Sequence, residues 1–270
     1  MAMQSTNDAH LRYVLRLADS ALILGQRNAE WTGHCPVLEE DIALSNLSLD
    51  LIGQARLLYT HAGRLEGALT GMPRNEDDYA YWRDEPAFRN YTLLELPHAG
   101  PLCGTAASRR DYAVTIVRHF LYAALMVPLW EALAASADAE LAAIAAKSVK
   151  EMRYHLAHTR DWLVRFGDGT AESHARAQAE LDWLMPYTNE FFATDEVEDA
   201  VADACIGVRP AQVRGTWAAT VRDTLDEATL TWPEAGPYVS TGKHGIHSEH
   251  MGYLLAEMQG LARQFPGATW

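Results

Sequence analysis

Residues 37–62 read as one long helix that is apolar on every side. Leu44, Leu47, Leu49, Leu51, Ile52 and Leu58 cannot share one face at 3.6 residues per turn. A helix that is apolar all round must sit centrally in the packing or be covered by a partner, and this confines the chain to folds built around long helices. Asn46, Asp50, Gln54 and Arg56 stand inside the same stretch and need partners wherever they are buried. Glu39, Glu40 and Asp41 fall in the first turn, where carboxylates complement the positive end of the helix dipole.

Helical periodicity continues on both sides, and strand-like alternation is scarce. A first helix is expected from about Asp8 through Leu11, Leu15, Ala18, Leu22 and Gln26, capped by Asn7 or Asp8. It closes at Trp31-Thr-Gly33-His-Cys-Pro36, where Gly33 supplies a left-handed terminus and Pro36 opens the next helix. Residues 63–104 read as a long irregular link with short helical pieces at 77–83 and 88–94. A third long helix is expected from Thr105 to Ala135, kinked at Pro128, and a fourth over 139–166, closed by Gly167-Asp168-Gly169. Shorter helices follow at 171–192, 195–205, 211–230 and 248–264, with 233–247 left for a small hairpin or an extended excursion. The expected architecture is all-α. Two long hairpins, 8–62 and 105–166, are joined by a crossover and followed by a helical extension over 170–266, in a single domain spanning 1–270.

Charge narrows the function. Acidic residues number 36 and basic ones 22, giving a net charge of −14, and no basic stripe offsets this, so nucleic acid is not an expected partner. Lysine is confined to Lys147, Lys150 and Lys243. The three cysteines, Cys35, Cys103 and Cys205, lie far apart and read as reduced thiols of a cytoplasmic protein. Residues 1–10 are polar and unlike a signal peptide, and the apolar run 120–130 is shorter than the roughly 18 residues of a membrane span.

Four long helices in two hairpins are also the frame of carboxylate-bridged di-iron centres. These take a Glu from each of two helices and a Glu-x-x-His from each of the other two. Carboxylates offset the metal charge, and the i, i+3 pair sets an oxygen and an imidazole on one helical face. The fourth helix comes nearest, with Glu151-Met-Arg-Tyr154-His155-Leu-Ala-His158, but Tyr154 stands where the histidine belongs. Glu151, His155 and His158 still share a face that could hold a metal weakly. The second helix offers Asp50-Leu-Ile-Gly53, with glycine in place of imidazole; the first offers Asp19 or Gln26, and the third His119 and Tyr122. The one literal Glu-x-x-His is Glu95-Leu-Pro97-His98, whose proline is ill suited to a mid-helix ligand turn. The pattern is that of a degraded site: Asp19, Asp50, Glu151, Tyr154 and His155 form a polar core, and Lys147, Lys150 and Arg153 supply charge near Glu151. No catalytic residue and no metal ligand is expected.

Lys243-His244-Gly-Ile-His247-Ser-Glu249-His250 has a zinc-like spacing but matches no closed zinc pattern, and its histidines read as hydrogen-bonding groups. Nucleophile-elbow and phosphate-loop motifs are absent from the sequence. Trp82, Trp130, Trp162, Trp183 and Trp217 fall at helical positions and read as core or interface.

The blocks Leu24-Gly-Gln-Arg-Asn-Ala-Glu-Trp31-Thr-Gly-His34, Leu49-Asp50-Leu-Ile-Gly-Gln-Ala-Arg56, Lys150-Glu-Met-Arg-Tyr-His155-Leu, Gly245-Ile-His247-Ser-Glu-His250-Met-Gly and Leu255-Ala-Glu-Met-Gln259 resemble the C-subunit family of phenylacetyl-CoA epoxidase complexes. The resemblance runs from about Leu11 to Trp270. It implies a ferritin-like four-helix bundle with extra C-terminal helices, serving as the non-catalytic structural partner in a phenylacetate-degrading monooxygenase. It places the di-iron centre in a sister catalytic subunit that pairs with this chain as a heterodimer. FAD, an iron–sulfur cluster and NADPH go with a reductase subunit, and no cofactor is implied here.

The resemblance also implies contact with the CoA substrate at Ala87, Phe88, Arg89 and Asn90, within Arg83-Asp-Glu-Pro-Ala-Phe-Arg-Asn90, and at Asp199, Ala200 and Val201. Arg89 stands where a small polar residue is usual. The plain alternative is that Phe88 packs and Asn90 caps a short helix. Two further classes stay open: a competent di-iron oxygenase using Asp19, Asp50, Glu151 and His155, and a ferritin-like metal carrier.

Overall fold

A computed structural model describes residues 2–103 and 110–268, with side chains described for 6–102 and 110–268. Among the described residues ten α-helices run in chain order: α1 (Ala2–Ala29), α2 (Leu38–Thr70), α3 (Glu76–Tyr81), α4 (Tyr112–Leu133), α5 (Ala139–Gly167), α6 (Ala171–Leu184), α7 (Asn189–Phe192), α8 (Glu196–Asp203), α9 (Arg214–Glu227) and α10 (Glu249–Gln264). Short 3₁₀ turns link several of them, and no strand occurs among the described residues, so the fold is all-α. Of the hairpin or extended excursion expected at 233–247, the structure has the latter: irregular chain with one 3₁₀ turn, Gly242–His244. By its contacts the chain divides into two compact units. Unit 1 comprises residues 1–96, 196–207 and 241–270; unit 2 comprises 97–195 and 208–240.

Unit 1 is built on the hairpin of α1 and α2. Val14, Leu17, Ala18, Ala21 and Leu24 of α1 and Leu44, Leu47, Leu51 and Leu58 of α2 are buried. The remaining apolar residues of α2 are not: Leu38, Ile42 and Leu49 are 71, 55 and 65% exposed, and Ile52 is also exposed. The all-round apolarity of this helix thus divides into a core face and an outward stripe. Arg56 is exposed and pairs with Glu76 at 3.2 Å, while Gln54 is buried and Asp50 half-buried.

α2 also runs on to Thr70, beyond the stop expected at Ala62. Gly63 and Gly67 lie in the helix because the returning chain passes over them. A Cβ at Gly63 would meet the Arg74 carbonyl oxygen at 2.0 Å, and one at Gly67 would meet Pro73 at 2.8 Å. The glycine that ends the helix is Gly71, at φ 77°, whose N–H donates to the Gly67 carbonyl.

Unit 2 is built on the hairpin of α4 and α5. Asp111 caps α4 through the Ala113 N–H, and Asp138 caps α5 through the N–H groups of Glu140 and Leu141. Every residue of α4 from Ala113 to Met126 is buried, so this helix, not α2, is the one enclosed on all sides. Its 22 residues are long and apolar enough to cross a membrane by length and composition, which the run 120–130 alone did not suggest; 89% of that window is buried in the fold. The helix continues unbroken through Pro128, and the start expected at Thr105 lies outside the described residues.

α6 stops at Leu184, short of the expected 192, where Met185-Pro186 opens a 3₁₀ turn because proline has no N–H to continue the ladder. Trp217 of α9 donates its indole N–H to the Leu121 carbonyl at 3.0 Å. Glu180 of α6 is fully buried, and neither carboxyl oxygen has a hydrogen-bond partner among the described residues. It lies so close to Gly100 that a Cβ there would meet its Oε1 at 2.0 Å.

Candidate functional site

Asp19 is fully buried on α1 and surrounded by donors. The Tyr59 hydroxyl donates to Oδ1 at 2.5 Å, the Arg89 backbone N–H to Oδ2 at 2.7 Å, and the Arg83 guanidinium to both oxygens. Arg83 also donates to the carbonyls of Tyr79 and Ala87, at 2.7 and 3.0 Å, and lies 4.2 Å over the centre of the Phe88 ring. Burial opposes its charge, but Asp19 outweighs that and raises its pKa above the ordinary arginine value. Burial first and Asp19 second likewise raise the Tyr59 phenol, which remains a donor. The carboxylate that could have ligated metal is thus neutralised by a cation of the chain itself.

The other positions of the expected polar core fare differently. Asp50 is half-buried on α2, and a Cβ at Gly53 would meet open space. In unit 2, Glu151 pairs with Lys147 one turn away at 3.2 Å, whereas Arg153 turns to Glu131 at 2.7 Å. Tyr154 is 56% exposed and does not belong to a core; the α5 face that turns inward carries Met152 and His155. Buried His155 shares a hydrogen bond with His119, Nδ1 to Nε2 at 3.1 Å. Burial, then His155 and His158, push the His119 pKa well below the ordinary value, which keeps that ring neutral. Glu151, His155 and His158 do not bring three ligand atoms within reach of one ion. A di-iron ligand set does not fit these residues as they are engaged.

The segment 83–90 is held firmly. Besides the Asp19 contacts, Phe88 and Asn90 are fully buried, and the Asn90 amide donates to the Tyr91 carbonyl and to Glu95 Oε2, at 3.1 and 2.9 Å. Glu95 is fully buried and also binds His247 Nδ1 at 2.8 Å and the Ser248 N–H at 2.5 Å. The opposite nitrogen of His247 meets the Phe88 carbonyl at 3.1 Å. Burial works against protonation of His247, but Glu95 and that carbonyl prevail and raise its pKa. His247 of the histidine-rich cluster therefore braces this segment. The literal Glu-x-x-His is no ligand pair either: Glu95 serves this network, and His98 pairs with the Thr115 hydroxyl at 2.7 Å.

Of the residues expected to touch substrate, Phe88, Asn90 and Val201 are interior, and Asp199 is exposed. Ala87 and Arg89 reach a cavity of about 310 Å³, together with Arg12 and Arg16 of α1, Glu196 and Val197 at the start of α8, and Lys243 and His244. Asp199, Ala200 and Val201 follow on α8 but do not line it. Sequence reasoning passed over Arg12 and Arg16 and named Lys243 only as a rare lysine at the head of the histidine-rich run. The i, i+4 spacing of the two arginines and the rarity of lysine were the available signals.

The family model described as "Phenylacetic acid catabolic protein" matches residues 1–270. The 1,2-phenylacetyl-CoA epoxidase C-subunit of Escherichia coli (strain K12) is 42% identical over 258 residues, covering 96% of this chain and 98% of that protein. The family match over residues 1–270 and the 42% identity along 96% of its length place the chain in the phenylacetic acid catabolic protein family.

Proposed function

We propose that this chain is the non-catalytic structural subunit of a cytoplasmic complex that epoxidises the ring of phenylacetyl-CoA, paired with a di-iron catalytic subunit. The observation that carries the reading is the Asp19–Arg83 pair: a guanidinium, with Tyr59, holds the carboxylate that a metal would need. In this reading iron belongs to the partner, and FAD, an iron–sulfur cluster and NADPH belong to a reductase. The exposed stripe of Leu38, Ile42, Leu49 and Ile52 supports a role in carrying a partner subunit. The braced segment 83–90 supports a second role, in which Ala87 and Arg89 touch the CoA ester at the rim of the partner's site.

The deciding experiment is the metal content of the chain expressed alone in iron-replete medium and purified without chelators. Essentially no iron is expected. About two irons per chain would overturn the reading and make Glu151 and His155 the first ligands to replace. A companion change, Leu49→Glu, should leave the chain folded and weaken its co-purification with the catalytic subunit. Undiminished pairing would remove the α2 stripe from the interface.

A further inference from the structure

Trp130 and Trp217 are buried, but Trp82 is 46% exposed. It caps the end of α3 and, with Tyr81, lines a cavity of about 470 Å³ within unit 1. Met258, Leu261 and Phe265, on the last turns and cap of α10, line the same cavity. Hydrogen bonds tie the two sides together. The Gln259 amide donates to the carbonyls of Ala80 and Arg83, at 2.9 and 3.0 Å, and Arg263 donates to the Tyr81 carbonyl at 2.9 Å. The walls therefore keep their spacing, and the cleft between α3 and α10 is a built feature of the unit.

Its charge is one-sided. Asp77 and Asp78 line it, and among the described residues no lysine, arginine or histidine does. Asp78 is occupied locally: its carboxylate accepts the Asn75 N–H at 2.9 Å within the capping box of α3. Asp77 is exposed, and among the described residues no hydrogen bond or ion pair engages it. The cations nearby are committed elsewhere, Arg263 to Asp84 and Arg56 to Glu76, both at 3.2 Å. Aromatic faces beside such a carboxylate attract one kind of group, a cation on an apolar stem. The ring quadrupole and the carboxylate draw the same charge, while the walls take the stem.

Openness decides what carries that cation. Leu261 and Phe265 are each 55% exposed, so the cleft does not enclose a free ligand, which typically buries about 70–90% of its surface in its pocket. A side chain arriving on a protein surface would cover Trp82, Leu261 and Phe265 together. We propose that the cleft between α3 and α10 docks a partner protein through an arginine flanked by apolar residues, the guanidinium meeting Asp77 and the aromatic rings. Arginine suits the cleft better than lysine, because its planar guanidinium stacks on rings and is more weakly hydrated.

The test is NMR titration of the full chain, read at the Trp82 indole N–H, with acetylated and amidated Leu-Arg-Leu and Phe-Arg-Leu peptides. Their citrulline counterparts keep the shape and lose the charge, and agmatine carries the guanidinium without a peptide. The arginine peptides are expected to bind and the citrulline peptides to fail. Asp77→Asn should weaken binding about threefold and Phe265→Ala about tenfold, whereas Asp223→Asn, the same charge change in the other unit, should not. Citrulline peptides binding equally well would leave only an apolar cleft and overturn the proposal. Weakening by Asp223→Asn as large as by Asp77→Asn would do the same, since the attraction would then be to the acidic chain at large. Agmatine binding as tightly as the peptides would reassign the cleft to a free amine. Self-association of the wild type in sedimentation, abolished by Phe265→Ala, would reassign it to a second copy of this chain, and either result removes the partner proposed. No shift at Trp82 with any arginine probe would also overturn it.

Discussion

Two fully buried carboxyl groups, one in each unit, have been settled in opposite ways. Asp19 in unit 1 is surrounded by Arg83, Tyr59 and the Arg89 N–H, all of which donate to it. Glu180 in unit 2 has no hydrogen-bond partner among the described residues. Burial first, and Asp111 second, raise its pKa to about 8, against the pull of Arg176 and Arg118. The first group is held by donors and a cation; the second has its pKa raised above 7 and keeps its proton there. A buried carboxyl survives only with donors and a cation, or with its proton. The difference explains why the Asp19 position can organise a neighbouring segment and the Glu180 position cannot.

Breaking the first arrangement should have the larger effect. Asp19→Ala leaves the Arg83 guanidinium buried without its counter-charge and is expected to cost about 3 to 5 kcal/mol in chemical denaturation. Adding Arg83→Met should restore much of that loss. A loss under about 1 kcal/mol, the size of a surface pair, would show that the network is not what holds the segment.

Glu180→Gln sharpens the other half of the comparison. The unfolded chain loses this proton near pH 4.5 and the folded chain near 8, so wild-type stability should fall as pH rises from about 4.5 to about 8 and then level off. The variant should lack that decline and gain about 2 to 3 kcal/mol over wild type at pH 9. A denaturation midpoint that stays below wild type at every pH would mean the carboxyl is charged and partnered after all. The smallest effect belongs to Glu151→Ala, where a half-exposed i, i+4 pair with Lys147 is lost. The expected change is under about 0.5 kcal/mol, with epoxidase turnover of the assembled complex unchanged. Turnover lost with assembly intact would return Glu151 to the catalytic inventory.

The long helices were legible because their apolar spacing is local information; α5 falls within one residue of its expected span. The end of α2 was not, since Gly63 and Gly67 mimic a stop signal and their purpose lies in a chain segment that returns later. Likewise Asp19 was named as the first helix's candidate ligand, but its partner Arg83 lies 64 positions away and no periodicity links them. Tyr154 was assigned to the core by its spacing from Glu151, and a helix face read from spacing does not say which way it turns. The opposite error affected α2 and α4: both looked apolar, and only packing reveals that α4 is enclosed while α2 keeps an outward stripe.

The bond between Glu95 and His247 spans 152 positions, and residues 241–270 belong to the same unit as the first hairpin. During translation at about 5 to 20 residues per second, the first hairpin waits roughly ten to thirty seconds before the imidazole that binds Glu95 is made. Unit 1 is therefore a structure whose first hairpin is completed by residues made well after it. A ribosome that stalls within 241–247 releases a chain whose injury is felt at Phe88, in a region synthesised long before the fault occurred.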